Sequence, residues 1–440
     1  MNKMKVLKRL GAAALGAALT VTSVFAEGAD GGALIDALIK KGVLTSQEGE
    51  EIRAEMLNDY ATTPGGFLSV GSSAVKGLKL YGDARVRYEY DQQARTNGTA
   101  QERNRNRYRL RVGAEYTFAD GYSANVRLAT GNKRNSTNAD GGAGNSIYGL
   151  DDTIYVDVAS LSAEKLFGAD WLSASVGRIL QPHNIAMGWT WDSDITADGG
   201  VLKLGSWKVA DGVTLGTTHG AYIWTDGTDN PFTGKGKSDV WLFINQLDLG
   251  AKLGKNWKLR FSPGFVSAIG SGKNNLITTT PAVNDVSDMN VFLLDVALDT
   301  PFFIEGVKGK LYGEYGVNLS ADDFGKRVLA NHDSGGNQFF LLGYQIAKGK
   351  GKGAWTLDAT YAYYEALSWS AALIDSDWNG GKLNGHGIGL KLGYGLTDNV
   401  TASVNWRKSW RISSDISSSD LGGGTQKASD LVQVDLSWKF

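Results

Sequence analysis

The chain has 440 residues, with 45 lysines and arginines against 46 aspartates and glutamates, and a net charge of -1. Glycine is abundant at 58 residues, proline scarce at 6, cysteine absent, and 42% of residues are hydrophobic. These figures exclude collagen, a disordered chain, a disulfide scaffold and thiolate metal centres, and they give no reason to expect a nucleic-acid partner.

The first residues, MNKMKVLKRL, carry Lys3, Lys5, Lys8 and Arg9, and an uncharged apolar stretch follows. Val24 and Ala26 occupy the small-residue positions of a cleavage site, so residues 1–26 read as a secretory signal peptide. The apolar stretch is shorter than the ~20 residues that a spanning helix needs. Residues 27–66 form the next unit, a periplasmic helical segment and linker. Leu34 and Leu38, and Ile35 and Ile39, recur at helical spacing; Gly42 is a stop, and Thr45 with Glu48 makes a capping box. ATTPGG, residues 61–66, is the linker.

From Leu78 the period changes from 3.6 to 2. LYGDARVRYEY sets Leu80, Ala84, Val86 and Tyr88 against Asp83, Arg85, Arg87 and Glu89. About 16 such segments are expected, starting near Leu78, Asn106, Gly121, Asp152, Asp170, Gly200, Gly212, Ser238, Lys255, Met289, Val307, Asn337, Gly353, Leu383, Asn399 and Ala428. Tight connectors such as KVADGV alternate with long ones such as the stretch from Leu180 to Gly200. The fold class predicted is all-β: a transmembrane antiparallel β-barrel over residues 67–440, preceded by the short helical segment. The closing LVQVDLSWKF puts Val432, Val434, Leu436, Trp438 and Phe440 on one face, suited to lipid if this strand pairs with the first. Trp171, Trp207, Trp257, Trp355, Trp406 and Trp438 fall near expected strand ends, where the membrane interface favours them.

A final alternating strand ending in phenylalanine resembles the assembly signal of Gram-negative outer-membrane proteins, carried here by Trp438 and Phe440. ALIDALIKKGVLTSQEGEEIRAEM, RNRYRLRVGAEYTF, VGRILQPHNIAMGWTWDSDITADGG and ALIDSDWNGGKLNGHGIGLKLGYGLTDNV are together similar to a family of outer-membrane porins. The resemblance implies a channel in the bacterial outer membrane, with lipid, barrel-assembly machinery and small hydrophilic solutes as partners. It also implies a homotrimer.

Arginine is concentrated early: residues 85–127 hold nine arginines, no lysine and five acids, a local charge of +4. Periodicity puts Arg85, Arg87, Arg107, Arg109, Arg111 and Arg127 on one inward face, with Arg407 and Arg411 close by across the closure. An arginine facing lipid at midplane would cost ~2–4 kcal/mol, which favours the inward assignment. The alternatives are an anion-attracting basic wall and a set of arginines neutralised by nearby carboxylates. Asp192, Asp194 and Asp198 in one expected loop, and Asp375 and Asp377 in another, would oppose that wall if either loop folded inward. The DSD triplets lack the ligand spacing of a calcium site, and no other metal or cofactor motif is found. His183, His219, His332 and His386 fall in no nucleophile elbow or zinc motif, so no enzyme is expected. Passive diffusion of solutes with an anion preference is the function expected; the alternative is a structural barrel tethering membrane to cell wall through the helical segment.

Overall fold

The computed structural model describes residues 77–118, 121–131, 136–141, 153–225, 240–270, 289–322, 336–416 and 426–440. The expected signal peptide, helical segment, linker and residues 67–76 lie outside the described residues.

Seventeen strands are present among the described residues. They are β1 Leu78–Arg95, β2 Ala100–Thr117, β3 Tyr122–Thr130, β4 Ala139–Asp140, β5 Ile154–Ala163, β6 Leu172–Leu180, β7 Thr196–Ala210 and β8 Val213–Thr225. The second half adds β9 Val240–Lys252, β10 Lys258–Gly270, β11 Asn290–Pro301, β12 Val307–Asn318 and β13 Gln338–Lys348. Last come β14 Trp355–Tyr364, β15 Gly385–Gly395, β16 Val400–Arg411 and β17 Gln426–Lys439. Sixteen are staves of one closed antiparallel cylinder. The two-residue β4 pairs with Arg107 and Tyr108 of β2, beyond the rungs that β3 occupies.

Closure satisfies the last edge. β17 pairs with β16 on one side and β1 on the other, with Val434 opposite Tyr88 and Trp438 opposite Ala84. The amide of Gly82 donates to the Phe440 carbonyl at 2.9 Å, and that of Phe440 donates back to the Gly82 carbonyl at 3.1 Å. Among the described residues every wall strand has a hydrogen-bonded neighbour on both sides, the closure that a hydrocarbon solvent demands.

The side-chain distribution is the reverse of that in a water-soluble protein. Val86 is 58% and Leu161 60% exposed, while Glu89, Asp157 and Gln433 are fully buried. Strand alternation sends the apolar set outward to lipid and the polar set inward. In the middle of the outer face of β8 and β9, the His219 ring hydrogen-bonds Asn245 (2.8 Å) and Thr217 (2.9 Å), a polar cluster in an apolar band.

Most expected strand starts agree with the observed ones. β1 and β12 begin at the expected residue, and β11 and β13 begin one residue later. Two differ more: β2 begins at Ala100 rather than Asn106, and β7 at Thr196 rather than Gly200. Trp406 sits in the middle of β16 rather than near an end, its indole N–H donating to Asp430 at 2.7 Å.

The barrel also contains an apolar core. Ile185, Trp191, Trp369, Leu373 and Trp378, all from the connections after β6 and β14, pack on inward residues such as Leu242, Leu293, Phe339 and Tyr364. These connections fill one side of the cylinder like the interior of a soluble domain.

Candidate functional site: the eyelet

The connection after β6 (residues 181–195) crosses the lumen, because it bonds to opposite walls. Asn184 donates to Asp248 of β9 (2.7 Å), and the Ala186 amide donates to Glu314 of β12 (2.7 Å). Its far end reaches Arg109 of β2, which approaches Asp194 at 3.4 Å. His183 anchors the start, with Nε2 3.1 Å from the Ile244 carbonyl; burial pushes its imidazole down to about 4, so it is neutral.

The connection after β14 (residues 365–384) meets it. Its return is built by Trp378-Asn379-Gly380-Gly381, where Asn379, Gly380 and Gly381 all have positive φ (48°, 67° and 75°). Asparagine and glycine are the residues that tolerate that region, and the Asn379 amide donates to the Leu383 carbonyl at 3.1 Å.

The two DSD triplets adopt the same turn and dock on each other. In one, Asp192 Oδ1 accepts the amide of Asp194 at 2.9 Å; in the other, Asp375 Oδ1 accepts that of Asp377 at 2.8 Å. Such Asx turns explain locally why aspartate leads each triplet. Between them, Ser376 donates to Asp192 Oδ2 (3.0 Å), the Asp192 amide to the Leu373 carbonyl (2.7 Å) and the Asp375 amide to the Trp189 carbonyl (2.9 Å). The Trp369 indole donates to the Thr190 carbonyl at 2.8 Å.

The docked turns face the arginines. Arg407 donates to Asp375 (3.0 Å) and to the Gly188 carbonyl (2.9 Å), and its guanidinium lies 4.6 Å from the centre of the Trp189 ring. Trp189 can lie there because residue 389 is glycine: a Cβ at Gly389 would be 2.6 Å from the indole. Arg87 forms a bidentate pair with Asp435 (2.7 and 2.9 Å) and reaches Asp377 at 3.1 Å. Arg109 and Arg111 share Asp83, at 2.7 and 2.6 Å. Arg107 joins Glu89 (3.1 Å) and Asp140 (2.8 Å), and Arg127 joins Asp157. Arg105 also pairs with Glu89. Arg85 donates to Asn138 at 2.5 Å, with Asp435 at 3.8 Å. Arg411 is half-buried on the same face of β16 as Arg407.

A cavity of about 590 Å³ remains between the turns and the wall. Its cations are Arg85, Arg87, Arg109, Arg260, Lys310, Lys391 and Arg407; its carboxylates are Asp192, Asp194, Asp295, Asp358, Asp375, Asp377 and Asp435. Seven against seven gives a formal sum of zero. Burial and the neighbouring Asp194 push Asp192 up to about 6, and burial pushes Asp375 up to about 8 despite Arg407 beside it. Burial also opposes the Asp377 charge, but Arg87 and Arg407 hold that carboxyl far below the usual range.

One expected member lies elsewhere. Asp198 is not in a loop but in β7, where it pairs with Arg178 of β6 (2.8 and 2.7 Å) on the side of the wall that carries exposed Val176. The strand extends four residues further than expected, and alternation then turns Asp198 away from the lumen.

The counter-carboxylates Asp83, Glu89, Asp157 and Asp435 were not singled out by the sequence pattern, although Asp83 and Glu89 share the parity of Arg85 and Arg87. Nothing in the pattern marked Trp189, Lys310, Asp358 or Lys391 as eyelet residues.

A family model described as "Putative porin" matches residues 89–269 and 271–440. The chain belongs to this porin family. Among solved structures, the porin is similar to Pseudomonas putida OprB at 12% identity, covering 83% of this chain and 94% of that one, with a TM-score of 0.49. Salmonella typhi OmpF, solved in complex with daunomycin, is 14% identical over 82% of this chain and 97% of its own, with a TM-score of 0.46. A mutant Rhodopseudomonas blastica porin is 12% identical over 82% of this chain and all of its own, with a TM-score of 0.42. No curated protein matches the porin. Family and fold point to a passive-diffusion channel of the bacterial outer membrane rather than an enzyme.

Proposed function

We propose that this porin passes small hydrophilic solutes through an eyelet with a transverse electric field and a mild preference for anions. The observation that carries the reading is the docked pair of DSD turns. It holds Asp192, Asp194, Asp375 and Asp377 across from the arginines of β1, β2 and β16. Opposed rows of fixed charge in a low-dielectric channel orient a dipolar solute and raise the local concentration of counter-ions. The formal sum is zero, and burial weakens the acidic side by pushing Asp375 up, which favours anions. Recording in planar bilayers tests this. Stepwise conductance is expected, with a reversal potential on the anion side in a salt gradient; no steps at all would defeat the channel reading.

Assembly as a homotrimer is part of the proposal. The Thr217–His219–Asn245 cluster supports it, because polar groups at mid-depth on a lipid face are better accommodated against a second protein wall. Amine-reactive cross-linking in the membrane should give trimers, whereas monomers alone would count against it. Trp438 and Phe440, with their rings 4.7 Å apart at the closing rim, are proposed to serve as the signal read by the barrel-assembly machinery. Their joint replacement by alanine should reduce insertion into the outer membrane.

A further inference from the structure

We infer, on the basis of the diffusion reading above, that the eyelet's charge preference is set by Lys391 and Lys310 rather than by its arginines. The arginines of the cavity are already committed. Arg87 is held by Asp435 and Asp377, Arg109 by Asp83, Arg260 by Asp295 and Arg407 by Asp375; Arg85 is tied instead to Asn138 at 2.5 Å, with Asp435 at 3.8 Å. For any carboxylate-paired arginine to turn toward a passing anion, a buried carboxylate would be left unpaired, which is strongly unfavourable. Their charges therefore shape the transverse field but offer no free guanidinium to a passing anion.

The lysines differ. Both line the cavity, and neither ammonium has an ion pair or hydrogen bond among the described residues. Lys391 on β15 stands opposite Asp358 and Asn405 in the ladder. The Asp358 oxygens are occupied by neutral donors: Tyr312 (2.7 Å), Thr360 (2.9 Å) and Gln345 (3.2 Å). Lys310 on β12 stands opposite Gln345 and Asp299, again with no ion pair. An ammonium on a flexible four-carbon stem, with no fixed carboxylate partner, can take up a passing anion and release it again. Conduction needs binding of that kind, favourable enough to enter and weak enough to leave. The solutes favoured are small anions, inorganic or carboxylate.

The test compares the wild-type porin with K310Q/K391Q and K310R/K391R in planar bilayers under a potassium chloride gradient at neutral pH. The glutamine pair should lower the chloride-to-potassium permeability ratio by about threefold or more, as expected for removing charges that face the channel. Channels should still open, and the arginine pair should keep the wild-type ratio. An unchanged ratio in the glutamine pair overturns the inference, whatever the wild-type value. A wild-type protein without conductance steps overturns the channel reading instead, so the two failures are distinct.

Discussion

Arg87 and Asp435 face each other across the seam where the first strand meets the last, with two parallel hydrogen bonds at 2.7 and 2.9 Å. Their positions are 348 residues apart in the chain, and both are buried. The pair can form only after the cylinder has closed, so it locks closure rather than promoting the early strands. Asp435→Ala leaves a buried guanidinium with fewer partners, and the folded barrel should lose about 3 kcal/mol. Urea unfolding from lipid vesicles measures this; a midpoint equal to wild type would show that Asp377 and Glu89 carry Arg87 alone.

The floor under Trp189 is equally specific. Gly389→Val adds a side chain where the indole now lies, so Trp189 must move into the cavity and away from Arg407. Single-channel conductance should fall, while the strand pairing of β15 persists. A conductance at or above the wild-type value would mean that the turn retreats rather than the ring.

The aspartates of the two triplets predict a pH response. Asp375 is pushed up to about 8, facing Arg407, Asp192 and Asp377; Asp192 is pushed up to about 6, facing Asp194, Asp377 and the Ser376 amide. Each gains a proton as pH falls through its value, which removes negative charge from the lumen. Anion preference should therefore rise from pH 9 to pH 5. Reversal potentials across that range read the change directly, and Asp375→Asn should abolish its upper part. A flat profile in the wild type would place both groups in one charge state throughout.

Trp369 ties the two connections together through its indole and its burial. Truncating a buried tryptophan costs about 3–5 kcal/mol. Because the loss falls on the inserted connections and not on the wall ladders, Trp369→Ala should widen and destabilise the eyelet while the barrel stays folded. Larger conductance with more current noise is the expected record, alongside unchanged β-sheet circular dichroism.

The wall was legible in the sequence because lipid outside and polar lumen inside impose an alternation that repeats on nearly every stave. It failed where that contrast ends. At Ala100 to Arg105 the strand continues, but Gln101, Arg103 and Arg105 alternate with Glu102 and Asn104, so both faces are polar and the period carries no hydropathy signal. The arginine face could be read from parity alone. Its neutralisation could not, since Arg87 and Asp435 meet only through closure, and Asp194 reaches Arg109 only because a connection turns inward. Trp191, Trp369 and Trp378 gave no periodic signal, because they pack by contact between two irregular segments.

The apolar core inside the cylinder means that this chain is dissolved in three media at once: hydrocarbon around the wall, water in the passage, and protein on one side of it. A given substitution therefore has no single meaning. Asparagine for leucine at Leu436 would be opposed by the lipid, while at Leu373 it would be opposed by the tryptophans around it. Tolerance to mutation along this chain should follow the medium each side chain meets, and neighbours in sequence should often differ more than residues on opposite sides of the barrel.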